Sequence, residues 1–112
     1  MKNTAIKIGQ GLFLATALLF FFHTPARADD SASLFKSKCA MCHSANGSGD
    51  SVMGKKLGAK DLRSAEIQKK TDAELTKFIE DGVPPKMPAY KSKFSGAEIK
   101  GLVAYIRELG KK

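Results

Sequence analysis

Cys39-Ala40-Met41-Cys42-His43 sets two thiols two residues apart with an imidazole directly after the second, and the pattern occurs once in the chain. On a helix, Cys39 and Cys42 are three apart and His43 is four from Cys39, so all three side chains share one face. One face can then meet one porphyrin. This is the spacing used for covalent haem attachment. Each thiol can add to a haem vinyl group to form a thioether, and the imidazole lies close enough to coordinate the iron. Cys39 and Cys42 are therefore the attachment candidates, and His43 is the candidate for the fifth iron ligand.

The leading residues indicate the compartment. Lys2 and Lys7 make a positive start, residues 8–22 form a mostly apolar run, Pro25 interrupts it, and Ala26-Arg27-Ala28 is a small-x-small cleavage pattern. A secretory signal peptide over residues 1–28 is expected, leaving a single domain of residues 29–112 in the periplasm. A retained membrane anchor is the alternative, but a run of about fifteen residues falls short of the roughly twenty that span a bilayer. No cysteine near the cut offers a lipid attachment point. His23 leaves with the leader, so His43 is the only histidine of the mature domain.

About 84 residues remain after the cut. Chains of this size bury little core unaided and usually need a staple. Both cysteines would be used by the haem, so the cofactor itself would complete the core, and the apoprotein is expected to fold poorly. The formal charge of +8 falls to about +5 once Lys2, Lys7 and Arg27 are gone, because the leader holds no acidic residue. Two haem propionates would bring it to about +3. A basic balance suits partners with acidic docking surfaces, although the lysines are spread along the chain and serve solubility equally well. No nucleic-acid motif is present, and export argues against such a partner.

Asp29, Asp30 and Ser31 precede Leu34 and Phe35, so a first helix is expected near residues 31–42, opened by acidic residues and a serine cap. Lys36 and Lys38 would face water. Residues 44–58 hold Gly47, Gly49, Gly54 and Gly58 among Asn46, Ser48, Asp50 and Ser51, a composition that favours turns over any regular element. Leu62, Ala65 and Ile67 support a short helix over 61–69. Thr71-Asp72-Ala73-Glu74 has the spacing of a capping box, followed by Leu75, Phe78 and Ile79 on one face and Gly82 as a stop. From Gly82 to Tyr90 three prolines forbid a helix and leave a stiff strap. Ser95 to Glu98 forms a second capping box, with Phe94 placed to staple against Ile99. Ile99, Leu102, Val103, Ile106 and Leu109 then make a helical stripe that Gly110 ends. No segment reads as a strand.

Taken with the Lys86-Met87-Pro88-Ala89-Tyr90 stretch, the attachment pattern resembles that of a small bacterial monohaem class I cytochrome c. The resemblance covers about residues 31–110. It implies an all-α fold of about four short helices around one covalently attached haem c, with the first helix crossing the last through Leu34 and Phe35. It also implies that the loop after His43 wraps the proximal face of the ring. Relatives commonly carry a proline there whose carbonyl accepts the free imidazole N–H. This chain has no proline between His43 and Pro84. A backbone carbonyl within residues 52–55 is the expected substitute.

The sixth ligand would come from the opposite side. Met41 lies inside the attachment run, on the wrong side, and Met53 lies in the proximal loop, where packing against the porphyrin is its ordinary role. Met87 sits in the proline strap, far enough along the chain to return over the ring, and is the expected sixth ligand. Histidine and methionine together fill both axial positions and leave no open site for substrate. An electron carrier serving other redox proteins, monomeric and not an enzyme, is the expected function. A haem peroxidase or gas sensor would need a vacant sixth position. A zinc site would need about four donors, and a dithiol redox pair would sit in an alternating strand and helix pattern that is absent. Lys38, Lys55, Lys56, Lys86 and Lys91 are candidates for the rim of the haem edge. Tyr90, Lys60 and Arg63 could meet a propionate, though each has an ordinary surface or packing role.

Overall fold

Asp29 and Asp30 stand in the first turn of α1 (Ala28–Lys38), and Lys36 and Lys38 in its last, both placements that favour the helix dipole. The structure is a computed structural model that describes residues 28–112, with Gly9, Gly11 and Leu19 ahead of them. The expected signal peptide otherwise lies outside the described residues. Because α1 begins at Ala28, Ser31 falls inside the helix and is buried there instead of capping it. Nor does α1 run on through the attachment stretch: Cys39, at φ −116° and ψ −33°, separates it from α2 (Ala40–His43).

Residues 44–58 are not all turn. They contain α3 (Val52–Leu57), started by Ser51, whose hydroxyl accepts from the Gly54 amide, and closed by Gly58 at φ 71°. Caps at both ends outweigh the poor helix propensity of Gly54. Gly54 is buried against α2, and a Cβ on it would collide with the Cys42 carbonyl oxygen. The helix expected over 61–69 shrinks to α4 (Ala65–Gln68). Asp61 accepts from the Arg63 amide at 2.9 Å, a local turn that competes with helix, so the cap falls to Ser64.

Both expected capping boxes form, Thr71 with Glu74 on α5 (Asp72–Asp81) and Ser95 with Glu98 on α6 (Gly96–Leu109). The α6 stripe is buried throughout. α1 and α5 both pack on α6, as the crossing of first and last helices required. Phe35, 1% exposed, carries that crossing and lies 5.1 Å from the Tyr105 ring, while Leu34 is only partly buried beside it. Four expected helices thus become six among the described residues, because the first is broken at Cys39 and α3 forms within the expected turn region.

The strap turns back on itself after α5. Val83 and Met87 form an antiparallel bridge, with Val83 N donating to Met87 O at 3.0 Å and Met87 N to Val83 O at 2.9 Å. Its far end is tied down by Tyr90 N, which donates to Ile79 O at 3.0 Å. Phe94 stacks on Tyr90 with ring centroids 4.7 Å apart and packs against the core beside α6.

Candidate haem-binding site

A cavity of about 410 Å³ opens among these elements. Phe35, Cys39, Cys42 and His43 line one part of it, Leu75, Phe78 and Ile79 of α5 another, and Val83, Met87 and Pro88 of the strap a third. Leu102 and Ile106 of α6 also reach it. This explains the one misfit on α5. Phe78, on the same expected face as the buried Leu75 and Ile79, is 43% exposed because it faces the cavity, as does Val83 at 43%. Large apolar side chains left open around a concavity mark a binding site.

Of the three methionines after residue 28, the cavity takes only Met87. Met41 is 73% exposed and Met53 38% exposed, and neither lines it. Met53, expected to pack against the porphyrin, is thus not among the residues around the cavity.

His43 is held by a different contact from the one expected. Its Nδ1 lies 3.1 Å from the backbone oxygen of Lys60, in the segment after α3, and not from any carbonyl of residues 52–55. Those residues are in α3, where their carbonyls are turned into the helix. A carbonyl can only accept, so Nδ1 carries the proton and Nε2 keeps its lone pair. Burial holds the imidazole below its usual range, and the Lys60 carbonyl pulls only partly the other way. A neutral imidazole with one nitrogen free is what an iron ligand requires.

Burial, and secondarily Cys42, push the Cys39 thiol up to about 11. A thiol held so firmly protonated is a poor redox nucleophile, which counts against a dithiol exchange pair. Among the described residues no group of three or more His, Cys, Asp or Glu converges as a metal site. The residues fit a haem c. Two free thiols, a correctly tautomerised imidazole, a thioether and a set of apolar side chains all line the cavity.

The rim differs from the one expected. Lys38 and Lys86 line the cavity, but Lys55, Lys56 and Lys91 do not, and Lys60 and Lys70 take their place. Sequence adjacency to a ligand does not locate a side chain on the far side of a turn. Lys70 lies 5.3 Å from the Phe78 ring centroid. Lys60 pairs with Glu66 at 3.4 Å and Arg63 with Asp61 at 3.0 Å, while Tyr90 donates to the Lys38 carbonyl at 3.3 Å. Tyr90 and Lys60 reach the cavity and Arg63 does not. Gln68 and Arg107 matter in a way the sequence does not signal. Arg107 binds Asp72 at 2.9 Å and the Gln68 carbonyl at 2.9 Å, fastening α4 and the start of α5 to α6. An arginine on the flank of an amphipathic helix carries no mark of such a partner.

Helices folded around a cavity lined by Cys39, Cys42, His43 and Met87 fit a class I c-type cytochrome. Comparison with known proteins agrees. Residues 26–106 match the family described as cytochrome c oxidase, cbb3-type, subunit III. The chain is 31% identical over 86 residues to the cbb3-type cytochrome c oxidase subunit CcoP of Azospirillum brasilense, covering 76% of this chain and 29% of that protein. It is 35% identical over 88 residues to subunit FixP of Azorhizobium caulinodans, covering 78% and 28%. The chain thus spans less than a third of the length of these relatives. Among solved structures it resembles the KustC0563 c-type cytochrome, with a TM-score of 0.66 and 31% identity over 70% of this chain and 95% of that one. A mutant of the same cytochrome gives a TM-score of 0.65 at 34% identity, covering 71% and 98%. The protein belongs to the cbb3-type subunit III family of c-type cytochrome domains, and that membership implies haem c as its cofactor. Among the described residues no helix is long and apolar enough to cross a membrane.

Proposed function

We propose that the protein is a periplasmic carrier of single electrons, with one haem c joined through Cys39 and Cys42 and held between His43 and Met87. One observation supports this reading: Cys39, Cys42 and His43 line the same cavity as Met87, alone of the three candidate methionines. When bound, the haem supplies an iron that alternates between ferrous and ferric states. The chain's own residues do the rest. Lys60 fixes the tautomer of His43, the Val83–Met87 bridge holds the strap methionine at the cavity, and apolar walls exclude water. With His43 and Met87 both holding the iron, no position would remain on it for a substrate, which favours a carrier over an enzyme.

Lys38, Lys70 and Lys86 around an opening that shows Phe78 and Val83 suit a redox partner with an acidic rim and an apolar centre. The protein works as a monomer after its signal peptide is cut following Ala28. Intact mass of the periplasmic holoprotein tests export and attachment together. A mature chain from Asp29 plus one haem is expected, and a colourless or full-length product from a host with the maturation machinery would reject the proposal.

A second reading follows from the relatives. They are named as cbb3-type oxidase subunits, so electron delivery to such an oxidase is the specific role proposed. Reduced protein mixed with a purified cbb3-type oxidase should be reoxidised at a rate that falls with salt. No reoxidation would leave the carrier without this acceptor.

A further inference from the structure

We infer that Gly49 is a positioning residue for His43: it fixes the Lys60 carbonyl that receives the ring N–H, and so sets how strongly the imidazole donates to iron. The inference rests on the reading of His43 as an iron ligand. Three contacts close a ring. The Gly49 amide donates to the backbone oxygen of His43 at 2.8 Å. The α-carbon of Gly49 packs beneath residues 59 and 60, so close that a Cβ there would stand 2.7 Å from Ala59 O and 3.1 Å from Lys60 O. Lys60 O in turn accepts from His43 Nδ1 at 3.1 Å.

Gly49 is buried, at φ 74°, a conformation that L side chains rarely adopt. The atoms facing it are backbone, so no side-chain rotation could relieve a Cβ, and residues 59 and 60 would have to move. Their neighbours are tied. Ala59 N donates to Gly54 O and Leu62 N to Gly47 O, both at 2.8 Å, which confines the shift to the carbonyls between these ties. A displaced Lys60 oxygen weakens the bond from Nδ1, leaves the imidazole a poorer donor, and favours the ferrous form.

Gly47 supplies the control. It is buried with φ 82°, so alanine there brings the same backbone strain, but its Cβ would meet Leu109 Cδ1 at 2.9 Å and Leu62 Cβ at 3.5 Å, not the Lys60 carbonyl. Its first neighbour is the end of a flexible side chain.

The test compares holoproteins of the wild type, Gly49→Ala and Gly47→Ala by reduction potential and by NMR of the His43 ring. Gly49→Ala should raise the potential and speed exchange of the Nδ1 proton by about tenfold or more. Gly47→Ala should lose comparable stability with a much smaller shift in potential and exchange, since its Cβ does not meet the Lys60 carbonyl. An unchanged potential in Gly49→Ala, or equal shifts in both variants, overturns the inference. If Gly49→Ala yields no folded holoprotein, the wild type decides. The Gly49 amide and His43 Nδ1 protons should exchange through one opening, so that their protection factors, each rate divided by its own intrinsic rate, agree within about threefold and share one denaturant dependence. A ring proton whose protection factor is far below that of the amide overturns the inference. A His43 ring with no hyperfine shift in the wild type would remove the ligand reading, and this inference with it. A hyperfine-shifted ring with an unmoved Gly49→Ala potential would defeat the inference alone.

Discussion

The side-chain amide of Gln68 donates to the Ile106 carbonyl at 3.0 Å, joining the end of α4 to α6 across 38 positions of sequence. The same nitrogen donates to the Leu62 carbonyl at 2.7 Å, and the amide fills the space that a side chain on Gly110 would need. α4 is a single turn, too short to persist on helix propensity, so this tie keeps it beside the cavity. Gln68→Ala should cost about 1–3 kcal/mol, since half-buried carbonyls lose a donor. Urea unfolding of the holoprotein measures it, and an unmoved midpoint would count against the tie.

Gly82 governs the strap. At φ 67° it would bring a Cβ to 2.5 Å from Met87 O and 2.6 Å from the Pro88 carbonyl. Gly82→Ala should therefore destabilise the fold by about 1–3 kcal/mol and loosen the position of Met87. Gly96, in the first turn of α6, has nothing within 4 Å of where a Cβ would stand and should accept alanine without loss. Equal thermal shifts in the two variants would show that the strap does not depend on Gly82.

Acid should weaken the fold through its caps. Hydrogen bonds from the Thr71 amide and hydroxyl hold the Glu74 carboxyl below its usual range, and Arg63 does the same for Asp61. A depressed carboxyl lends its stability above the unfolded value, near pH 4, and loses it as the pH falls through the folded value. The thermal midpoint should hold from neutrality to about pH 5 and then decline. Glu74→Gln should decline less steeply; parallel curves would remove Glu74 from the account.

The cavity is also a liability of the apoprotein. Its apolar lining, with Phe78 and Val83 each 43% exposed, stands open to water unless a cofactor covers it, and a domain of this size has little other core to offset that. A haem-free Cys39→Ala, Cys42→Ala protein should collapse around it and show no cooperative thermal transition. Native-like near-ultraviolet dichroism in that protein would contradict this.

Periodicity and caps are legible where they act locally. The α6 stripe, both capping boxes and the end of α5 at Gly82 follow from neighbours within a turn or two. α3 is not legible, because a glycine-rich composition hides a helix whose glycine is demanded by the close approach of Cys42. The acceptor for His43 is hidden for another reason. Every residue offers a carbonyl, so the identity of Lys60 says nothing, and only the path of the chain after α3 brings its oxygen to the ring. Phe78 reads as core because a cofactor cavity and a protein core ask for the same side chain.

The most direct measurement is the ferric absorption spectrum of the holoprotein beside that of Met87→Ala. A sulfur-to-iron charge-transfer band in the wild type that is lost in the variant, with Met41→Ala and Met53→Ala unaffected, is the predicted result. A high-spin wild type, or a band that survives in Met87→Ala, would contradict a haem closed between His43 and Met87.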